Sequence, residues 1–310
     1  MIRSSYSKRE AFQTCQRKYH LKYIEKLQQR IKPKPLRMGD AYSKALEAGS
    51  ADVAKAYYEQ LILSSLTGDS QYLIDDYVLE SRMVHALADT YLKNVALPNV
   101  QREVKFDRSI EGINDIGFFD GLIFHDDGRI TLIENKLKSM FLAGDEAALP
   151  MNTQLRCYVH ALMNQYGIPI DKIDVRYEVA LKPQIRQTKK ETREMFLDRI
   201  EQVIYDDPMK YHKVFTPEMV EPLVYEVPSS IVNIHNQIST QEKLPEGFIQ
   251  NTNRCGDFGG CEFLSLCKAR DIDDIELALK EFKQKESNDE LSPTSRGEEE
   301  GTGAQGATTA

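Results

Sequence analysis

The sequence predicts an α/β protein: a mixed sheet flanked by helices, preceded by an N-terminal helical segment and followed by a cysteine-bearing C-terminal segment. Two observations predict this class. Before Pro98, apolar residues recur every three or four positions, as in amphipathic helices. After Pro98, apolar and charged residues alternate, as in half-buried strands, and the order is strand, strand, strand, helix, strand. With 310 residues and 41% hydrophobic composition, the chain can bury a sizeable core.

The first part of the chain is predicted to be helical. Ser7 and Glu10 fit a capping box that opens a helix ending before Pro33. Two further helices are expected over residues 38–65 and 71–95. We therefore expect residues 1–97 to form an N-terminal helical segment.

The second part is predicted to be a sheet with helices. Strands are expected over residues 100–107, 116–124, 130–136 and 173–181, and helices over 150–165 and 189–205. Asp127 and Gly128 favour a hairpin turn between the second and third strands. These elements predict a core over 98–206, a C-terminal segment over 207–285 in which 208–250 has no clear pattern, and a disordered acidic tail over 286–310.

Charge and hydropathy restrict the setting. No apolar stretch is long enough to cross a bilayer, and the N-terminus lacks the apolar core of a signal peptide, so we expect a cytoplasmic, reducing environment without a membrane partner. The net charge is -8, but residues 1–38 hold eleven Lys and Arg against two Glu, a local charge of +9. This basic arm predicts phosphate binding, and a solvated amphipathic helix explains it equally well.

One pair of predicted strands carries a metal-site pattern. Glu134 and Lys136 are two apart on the third strand and share a face, and the hairpin brings Asp120 alongside them. Two neighbouring carboxylates favour a cation between them, and oxygen ligands suit Mg²⁺ or Mn²⁺. A nearby lysine can stabilise a metal-activated water and the charge that develops on a phosphate.

Glu-x-Lys alone is a weak signal. It recurs at Glu103 and Glu281, chance matches are expected at 28% charged residues, and a cross-strand salt bridge is the simpler explanation. Only Glu134 follows an aspartate on a hairpin partner and precedes a helix on which Gln154 and Tyr158, four apart, share a face.

Asp120, Glu134-Asn135-Lys136 and the Gln154 to Tyr158 stretch resemble the PD-(D/E)xK nuclease core, in its RecB-like branch. The resemblance implies a restriction-endonuclease-like fold. It also implies metal ligation by Asp120, Glu134 and the backbone carbonyl of Asn135. In the family the lysine assists the attacking water, and the glutamine and tyrosine position the lysine and the DNA strand.

One position departs from the branch, whose upstream pattern is roughly Gly-x-x-x-His-x-x-Leu-Glu with a metal-ligating histidine. Here Gly39 to Glu47 has Ser43 at the histidine position. A serine hydroxyl is a poor ligand, so metal affinity is expected to be lower or the site impaired. The histidines elsewhere are interpreted as surface or packing residues.

The cysteines predict a second metal site. Cys255, Cys261 and Cys267 are separated by five residues each, with glycines between the first two. Three close thiols leave a four-ligand site one short, and scattered buried thiols are the alternative explanation.

The surroundings of Cys15 together with the trio resemble the iron–sulfur segment of AddB-type and CRISPR-associated RecB-like exonucleases, in which one cysteine precedes the core and three follow it. That resemblance implies a [4Fe-4S] cluster on Cys15, Cys255, Cys261 and Cys267, with zinc as the alternative. Cys157 is left over and is interpreted as a packing residue.

These patterns predict a metal-dependent DNA exonuclease acting on single-stranded or end-bearing DNA, in recombination, repair or processing. Its expected DNA contacts are Arg9, Arg17 and Lys18. Two rivals remain: a catalytically weakened DNA-binding or recombination-partner protein, favoured by Ser43, and a zinc-containing structural protein whose charges coincide by chance.

Overall fold

The computed structural model describes residues 2–66, 71–244, 247–256 and 260–285. Its strands are β1 (Ile2–Ser4), β2 (Leu27–Gln29), β3 (Gln101–Ile110), β4 (Ile113–Phe124), β5 (Ile130–Lys138), β6 (Ile173–Leu181), β7 (His212–Phe215) and β8 (Phe282–Gln284). Its α-helices are α1 (Tyr6–Thr14), α2 (Gln16–Tyr19), α3 (Lys34–Ala48), α4 (Asp52–Leu66), α5 (Ile74–Asn94), α6 (Ala143–Ala148), α7 (Thr153–Tyr166), α8 (Arg193–Asp206), α9 (Pro208–Tyr211), α10 (Glu221–Tyr225), α11 (Val227–Gln241), α12 (Leu264–Lys268) and α13 (Ile272–Leu279). The predicted acidic tail, 286–310, lies outside the described residues.

The main sheet of the described chain has six strands and mixed polarity. β3 pairs antiparallel with one edge of β4. The other edge of β4 is shared by β1, which pairs in parallel with its start, and by β5, which pairs antiparallel with its end. β6 adds in parallel to β5, and β7 closes the sheet antiparallel to β6. The predicted mixed α/β architecture with helices around the sheet is confirmed, and it is consistent with a restriction-endonuclease-like fold.

Hydrophobic clusters cover both faces of this sheet. One cluster joins α3, α4, α5 and α8 and receives Ala180 of β6. The other joins α7, α10 and α11 to β3, β4 and β5, and it receives Val175 and Val179 of β6. Because successive strand residues point to opposite faces, the different parity of Ala180 and Val179 places the two clusters on opposite sides of the sheet.

The predicted core strands all form, and the differences lie at the ends and in the unassigned part. The capping residue of α1 is Ser5, whose Oγ accepts from the backbone N–H of Lys8, so the prediction of Ser7 was wrong. The single helix expected before Pro33 is broken at Cys15, whose backbone is extended, so α1 ends at Thr14. α2 continues into a π-helical turn that ends at Ile24, before β2. The helix expected over 38–65 is two helices, because Gly49 takes a left-handed conformation with φ of 64°.

Four strands were not predicted: the separate β2–β8 pair, and β1 and β7 of the main sheet. β1 is only three residues long, and β7 lies in the stretch with no clear pattern. Both are too short for alternation to be read, and both form because the edges of β4 and β6 offer unpaired backbone groups. Within the described ranges, no helix is long and apolar enough to span a bilayer.

Candidate active site and cysteine cavity

The carboxylates and the lysine come together where β4 and β5 separate. The last bridge of that ladder joins Gly121 to Ile133, so Asp120 and Glu134 are the next opposing pair. Asp120 is half-buried and Glu134 is fully buried. The predicted hairpin therefore does bring these two carboxylates side by side.

The backbone between Glu134 and Lys136 is held by Asp120. The backbone N–H of Asn135 donates to Oδ2 of Asp120 at 2.9 Å. This bond fixes the Glu134–Asn135 peptide relative to both carboxylates. The carbonyl of Asn135, in the next peptide, is the backbone ligand that the resemblance implies.

Lys136 is the charge partner of Glu134. Its ammonium contacts Oε1 of Glu134, and its side chain keeps 32% of its surface exposed. Burial raises the pKa of Glu134, Asp120 raises it further, and Lys136 opposes both effects. Burial lowers the pKa of Lys136, but Glu134 and Asp120 more than offset this and raise it above its usual value. In this structure the lysine is therefore a cation held against a buried carboxyl group.

The glutamine and tyrosine of α7 complete the constellation. Gln154 Nε2 donates to the hydroxyl of Tyr158 at 3.1 Å. The ring of Tyr158 packs edge-on against Phe119, with centroids 5.6 Å apart. Burial raises the pKa of Tyr158, and so does the charge of Glu134. The hydroxyl is therefore close enough to the carboxylates to sense them electrostatically.

The donor set fits a hard divalent cation. Oε1 of the fully buried Glu134 contacts the Lys136 ammonium, and Oε2 has no hydrogen-bond partner within the described chain. Such an oxygen is costly unless a cation or proton satisfies it. Among the described residues, no three His, Cys, Asp or Glu side chains are gathered closely enough to hold a metal ion. Asp120 and Glu134 would thus be joined by the Asn135 carbonyl and water, which suits Mg²⁺ or Mn²⁺.

Ser43 lies on α3, half-buried, and this helix contacts β5. The six histidines have other surroundings. His212 contacts Thr90, His125 contacts Thr131, and His160 contacts Arg108. His20 and His85 lie beside Glu25 and Asp52, and His235 is buried. No structural contact suggests that one of them replaces the family histidine.

Sequence reasoning passed over Glu103, which it treated as a chance Glu-x-Lys match. The β3–β4 register, with bridges at Arg102–Gly121 and Val104–Phe119, places Glu103 opposite Asp120. Glu103 has a φ of 51°, in the left-handed region that glycine favours. It adds to the negative potential that raises the pKa of Glu134. The positive φ of Glu103 is the feature that marks this residue, and it is visible only in the structure.

The regular alternation of side chains along β4 is interrupted near Asp120. Phe119 and Leu122 of β4 are three residues apart, yet both pack into the cluster beneath α7. In a regular strand they would face opposite sides. Asp120 therefore sits at an irregularity of β4, where its carboxylate is free to bond the neighbouring strand instead of following the regular alternation.

Arg9 does not fit its predicted role in DNA binding. Its side chain is 3% exposed, and its Nη1 donates to Oδ1 of Asp115 at 2.5 Å and to Ser4 Oγ at 2.7 Å. Arg108 donates to the other oxygen of Asp115. The prediction is wrong because the carboxylate of Asp115 on β4 is buried between α1 and the sheet. A buried charge without solvent needs a cationic partner, and Arg9 provides it.

The other two basic residues remain accessible. Arg17 is exposed on α2, and Lys18 is half-buried with its Nζ 3.5 Å from Oε1 of Glu262. Lys22 contacts the same carboxylate oxygen at 3.3 Å. Lys18 is thus already paired within the chain, and Arg17 is the better placed of the two for a phosphate.

The four cysteines that were grouped by sequence line one cavity. Cys15, Cys255, Cys261 and Cys267 all contribute to a cavity of about 490 Å³ between α1, α2 and the C-terminal segment. The backbone N–H of Asn251 donates to Cys15 Sγ at 3.3 Å. Burial raises the pKa of Cys267, as does the charge of Cys261, whereas Arg17 lowers it.

Cys157 lies elsewhere. It is buried on α7, with its Sγ 3.8 Å from Nη2 of Arg9. Cys157 therefore lies apart from the four cysteines that line the cavity. The thiols and neighbouring cations of the cavity suit a metal centre with soft thiolate ligands. The four sulfurs are not drawn to metal-binding distances in this structure.

Comparisons with known proteins give a family. No curated protein matches the chain at a significant level. Among solved structures, the crystal structure of SSO0001 covers 77% of this chain and 89% of its own, at 14% sequence identity and a TM-score of 0.30. A family model described as "PD-(D/E)XK nuclease superfamily" matches residues 3–268 of this chain. Because this match takes in nearly the whole described chain, including every residue of the active-site constellation, the protein belongs to the PD-(D/E)XK nuclease superfamily.

Proposed function

We propose that the protein is a metal-dependent DNA nuclease of the RecB-like branch, which hydrolyses phosphodiester bonds with Mg²⁺ or Mn²⁺ held by Asp120, Glu134 and the Asn135 carbonyl. The observation that carries this proposal is the Lys136–Glu134 contact beside an aspartate that binds the Asn135 peptide. A salt bridge for stability alone would not need a second carboxylate at the same buried point.

Each residue then has a separate task. Asp120, Glu134 and the Asn135 carbonyl would hold the cation, which when bound would supply Lewis-acid chemistry and lower the pKa of a water. Lys136, held as a cation by its neighbours, stabilises the charge that develops on the phosphate. Gln154 and Tyr158, joined by their hydrogen bond, position Lys136 and the DNA strand.

The substrate is proposed to be single-stranded DNA or DNA with free ends, and the biological setting to be recombination, repair or processing. Arg17, an exposed residue of the basic arm, supports a contact with the phosphate backbone. The test is a cleavage assay with Mg²⁺ and with Mn²⁺ on single-stranded, linear duplex and circular DNA. Degradation only where an end is present is expected. Cutting of closed circles would contradict exonuclease action, and inactivity on every DNA would contradict the nuclease assignment.

The same protein is proposed to carry a [4Fe-4S] cluster on Cys15, Cys255, Cys261 and Cys267. Its support is the common cavity of these cysteines. Burial raises the pKa of Cys261 and Cys267, and the charges of Lys18 and Arg17 oppose this effect. Protein purified without oxygen should be brown and contain about four irons per chain. Colourless protein with one equivalent of zinc would replace the cluster by a zinc site.

A second function is favoured by Ser43: a catalytically weakened protein that binds DNA and assists recombination. If a ligand has been lost here, Ser43→His should tighten Mn²⁺ binding in a calorimetric titration. Wild-type protein that binds DNA but does not cleave it, together with a gain of cleavage in Ser43→His, would establish this alternative. An unchanged Mn²⁺ affinity would show that position 43 does not face the metal site.

A further inference from the structure

Asn135 has a second set of contacts, on the face of β5 away from the carboxylates. Glu134 and Lys136 share one face of the strand, so the side chain of Asn135 points to the other. There the parallel register pairs Asn135 with Glu178 of β6. Both side chains are buried, with exposures of 9% and 3%.

The amide of Asn135 makes hydrogen bonds at both ends. Its oxygen accepts from Nη1 of Arg102 at 3.1 Å, and its nitrogen donates to Oε2 of Glu178 at 2.9 Å. The hydroxyl of Tyr91 lies 3.3 Å from the same nitrogen. The oxygen and nitrogen are assigned from these partners, because the reverse orientation would place acceptor against acceptor and donor against donor.

The partners of Asn135 are also bonded to one another. The Tyr91 hydroxyl donates to Oε2 of Glu178 at 2.5 Å and accepts from Nη2 of Arg102 at 3.2 Å. Arg176 pairs with the second oxygen of Glu178. Side chains from β3, α5 and β6 therefore meet at this one amide. Because a buried carboxylate held by charged donors has few alternative arrangements, the network is rigid.

Gly121 makes room for the network. A Cβ at Gly121 would lie 2.8 Å from Cγ1 of Val100 and 3.4 Å from Nη1 of Arg102. Arg102 and Gly121 are paired across the β3–β4 ladder, so the guanidinium passes over Gly121 to reach Asn135 on the next strand. The residue after Asp120 is thus a glycine because a Cβ there would overlap the Val100 side chain.

We infer that Arg102, Tyr91 and Glu178 are positioning residues for the metal site, acting through the side chain of Asn135. The backbone N–H of Asn135 is held by Asp120, and its side chain is held by this network. Because the N–H and C=O of one residue in an extended strand point to the same neighbouring strand, the direction of the Asn135 carbonyl is set before a cation arrives. Partners that orient a ligand in this way contribute to metal affinity without touching the metal. The inference rests on the proposed function, in which that carbonyl is a ligand.

The test measures Mn²⁺ affinity by calorimetry, without DNA, in variants of the full chain. Tyr91→Phe removes the hydroxyl that joins Arg102 to Glu178, and Asn135→Leu removes the amide itself. Each should weaken Mn²⁺ binding roughly tenfold. Thr90→Val is the matched control, because it removes a buried hydroxyl from the adjacent residue of α5 that hydrogen-bonds His212 instead. It should lower the melting temperature and leave the Mn²⁺ affinity unchanged.

Wild-type affinity in the folded Tyr91→Phe variant would overturn the inference, as would an equal loss of affinity in Thr90→Val. The proposed function and the positioning role fail in distinguishable ways. Wild-type protein that neither binds Mn²⁺ nor cleaves DNA would overturn the proposed function and the positioning role with it. Wild-type protein that does both, with variants that match it, would overturn the positioning role alone.

Discussion

Glu103 stands opposite Asp120 across the β3–β4 pair, and it does so with a φ of 51°. The same row continues to Glu134 on β5, so three acidic residues occupy corresponding positions on three adjacent strands. Mutual repulsion and backbone strain make this row costly in the metal-free protein. Strain that persists in a well-packed sheet is what a functional site, rather than a structural salt bridge, would retain.

The strain at Glu103 can be measured with glycine, which adopts positive φ without a Cβ clash. Glu103→Gly should raise the free energy of unfolding by about 1 kcal/mol in urea denaturation. It should also lower the pKa of Glu134, because one neighbouring negative charge is removed. Glu111→Gly is the control: Glu111 has a φ of 47° in the exposed β3–β4 turn, so it shares the strain only. A lower stability of Glu103→Gly than of wild type would show that its backbone conformation is not the dominant cost.

Lys136→Ala is expected to reduce the DNA cleavage rate by at least about 10²-fold, the usual cost of losing one donor that stabilises transition-state charge. Binding of DNA should stay close to wild type in fluorescence anisotropy. Lys138→Ala tests the neighbouring lysine of β5, whose ammonium lies 4.9 Å from the ring centroid of Phe141, and should retain cleavage. Wild-type rates in Lys136→Ala would remove this lysine from the catalytic site.

Arg17→Gln should weaken DNA binding and reduce the slope of log affinity against log salt by about one. The physical reason is the release of a counterion when an exposed guanidinium neutralises a phosphate. Lys93→Gln removes a charge that is 68% exposed on α5 and paired with Asp89, so it should leave the slope unchanged. An unaltered slope in Arg17→Gln would mean that the face of α2 is simply solvated.

Cys15 and the C-terminal trio would close a very long loop if they share one cluster. By analogy with a disulfide across a long loop, this closure is worth on the order of 4–5 kcal/mol. Cys15→Ser should therefore lose iron and sulfide and unfold at lower urea concentration. Cys157→Ser, in the separate site beside Arg9, should keep its full iron content. Full iron and sulfide in Cys15→Ser would show that Cys15 is not a ligand.

Acid should destabilise the protein between about pH 6.5 and pH 4. Burial lowers the pKa of His160, His212 and His235 to about 4, below the usual value near 6.5. Between these pH values the three histidines are protonated in the unfolded chain but not in the folded chain. The free energy of unfolding that is present above pH 6.5 is therefore lost as the pH falls. Urea unfolding at pH 7.5 and pH 5 measures the loss.

His212→Gln isolates one of these groups. At pH 7.5 the variant should have a lower free energy of unfolding than wild type, because the contact with Thr90 is disturbed. At pH 5 the difference should be smaller, because wild type is then destabilised by keeping the imidazole of His212 neutral. A parallel pH dependence of the variant and wild type would assign the acid effect to other residues.

The sequence was sufficient for the local part of the site. Alternation identified β3 to β6, and the Asp127-Gly128 turn, with φ of 80° at Gly128, fixed which strands are neighbours. From that, Asp120, Glu134 and Lys136 could be placed together, since a hairpin partner and a two-residue spacing on a strand are short-range properties. The helix of Gln154 and Tyr158 followed from its own periodicity.

The tertiary structure decided everything that depends on distant partners. Arg9 appeared as one more charge of a basic arm, and only the fold brings Asp115, 106 residues away, against it. Likewise, no local pattern marks Arg102, Tyr91 and Glu178 as neighbours of Asn135, or puts Cys15 in the cavity of Cys255, Cys261 and Cys267. Periodicity records which face of an element is buried. Which charges meet across that buried face is determined by packing, because burial makes an unpaired charge too costly to leave alone.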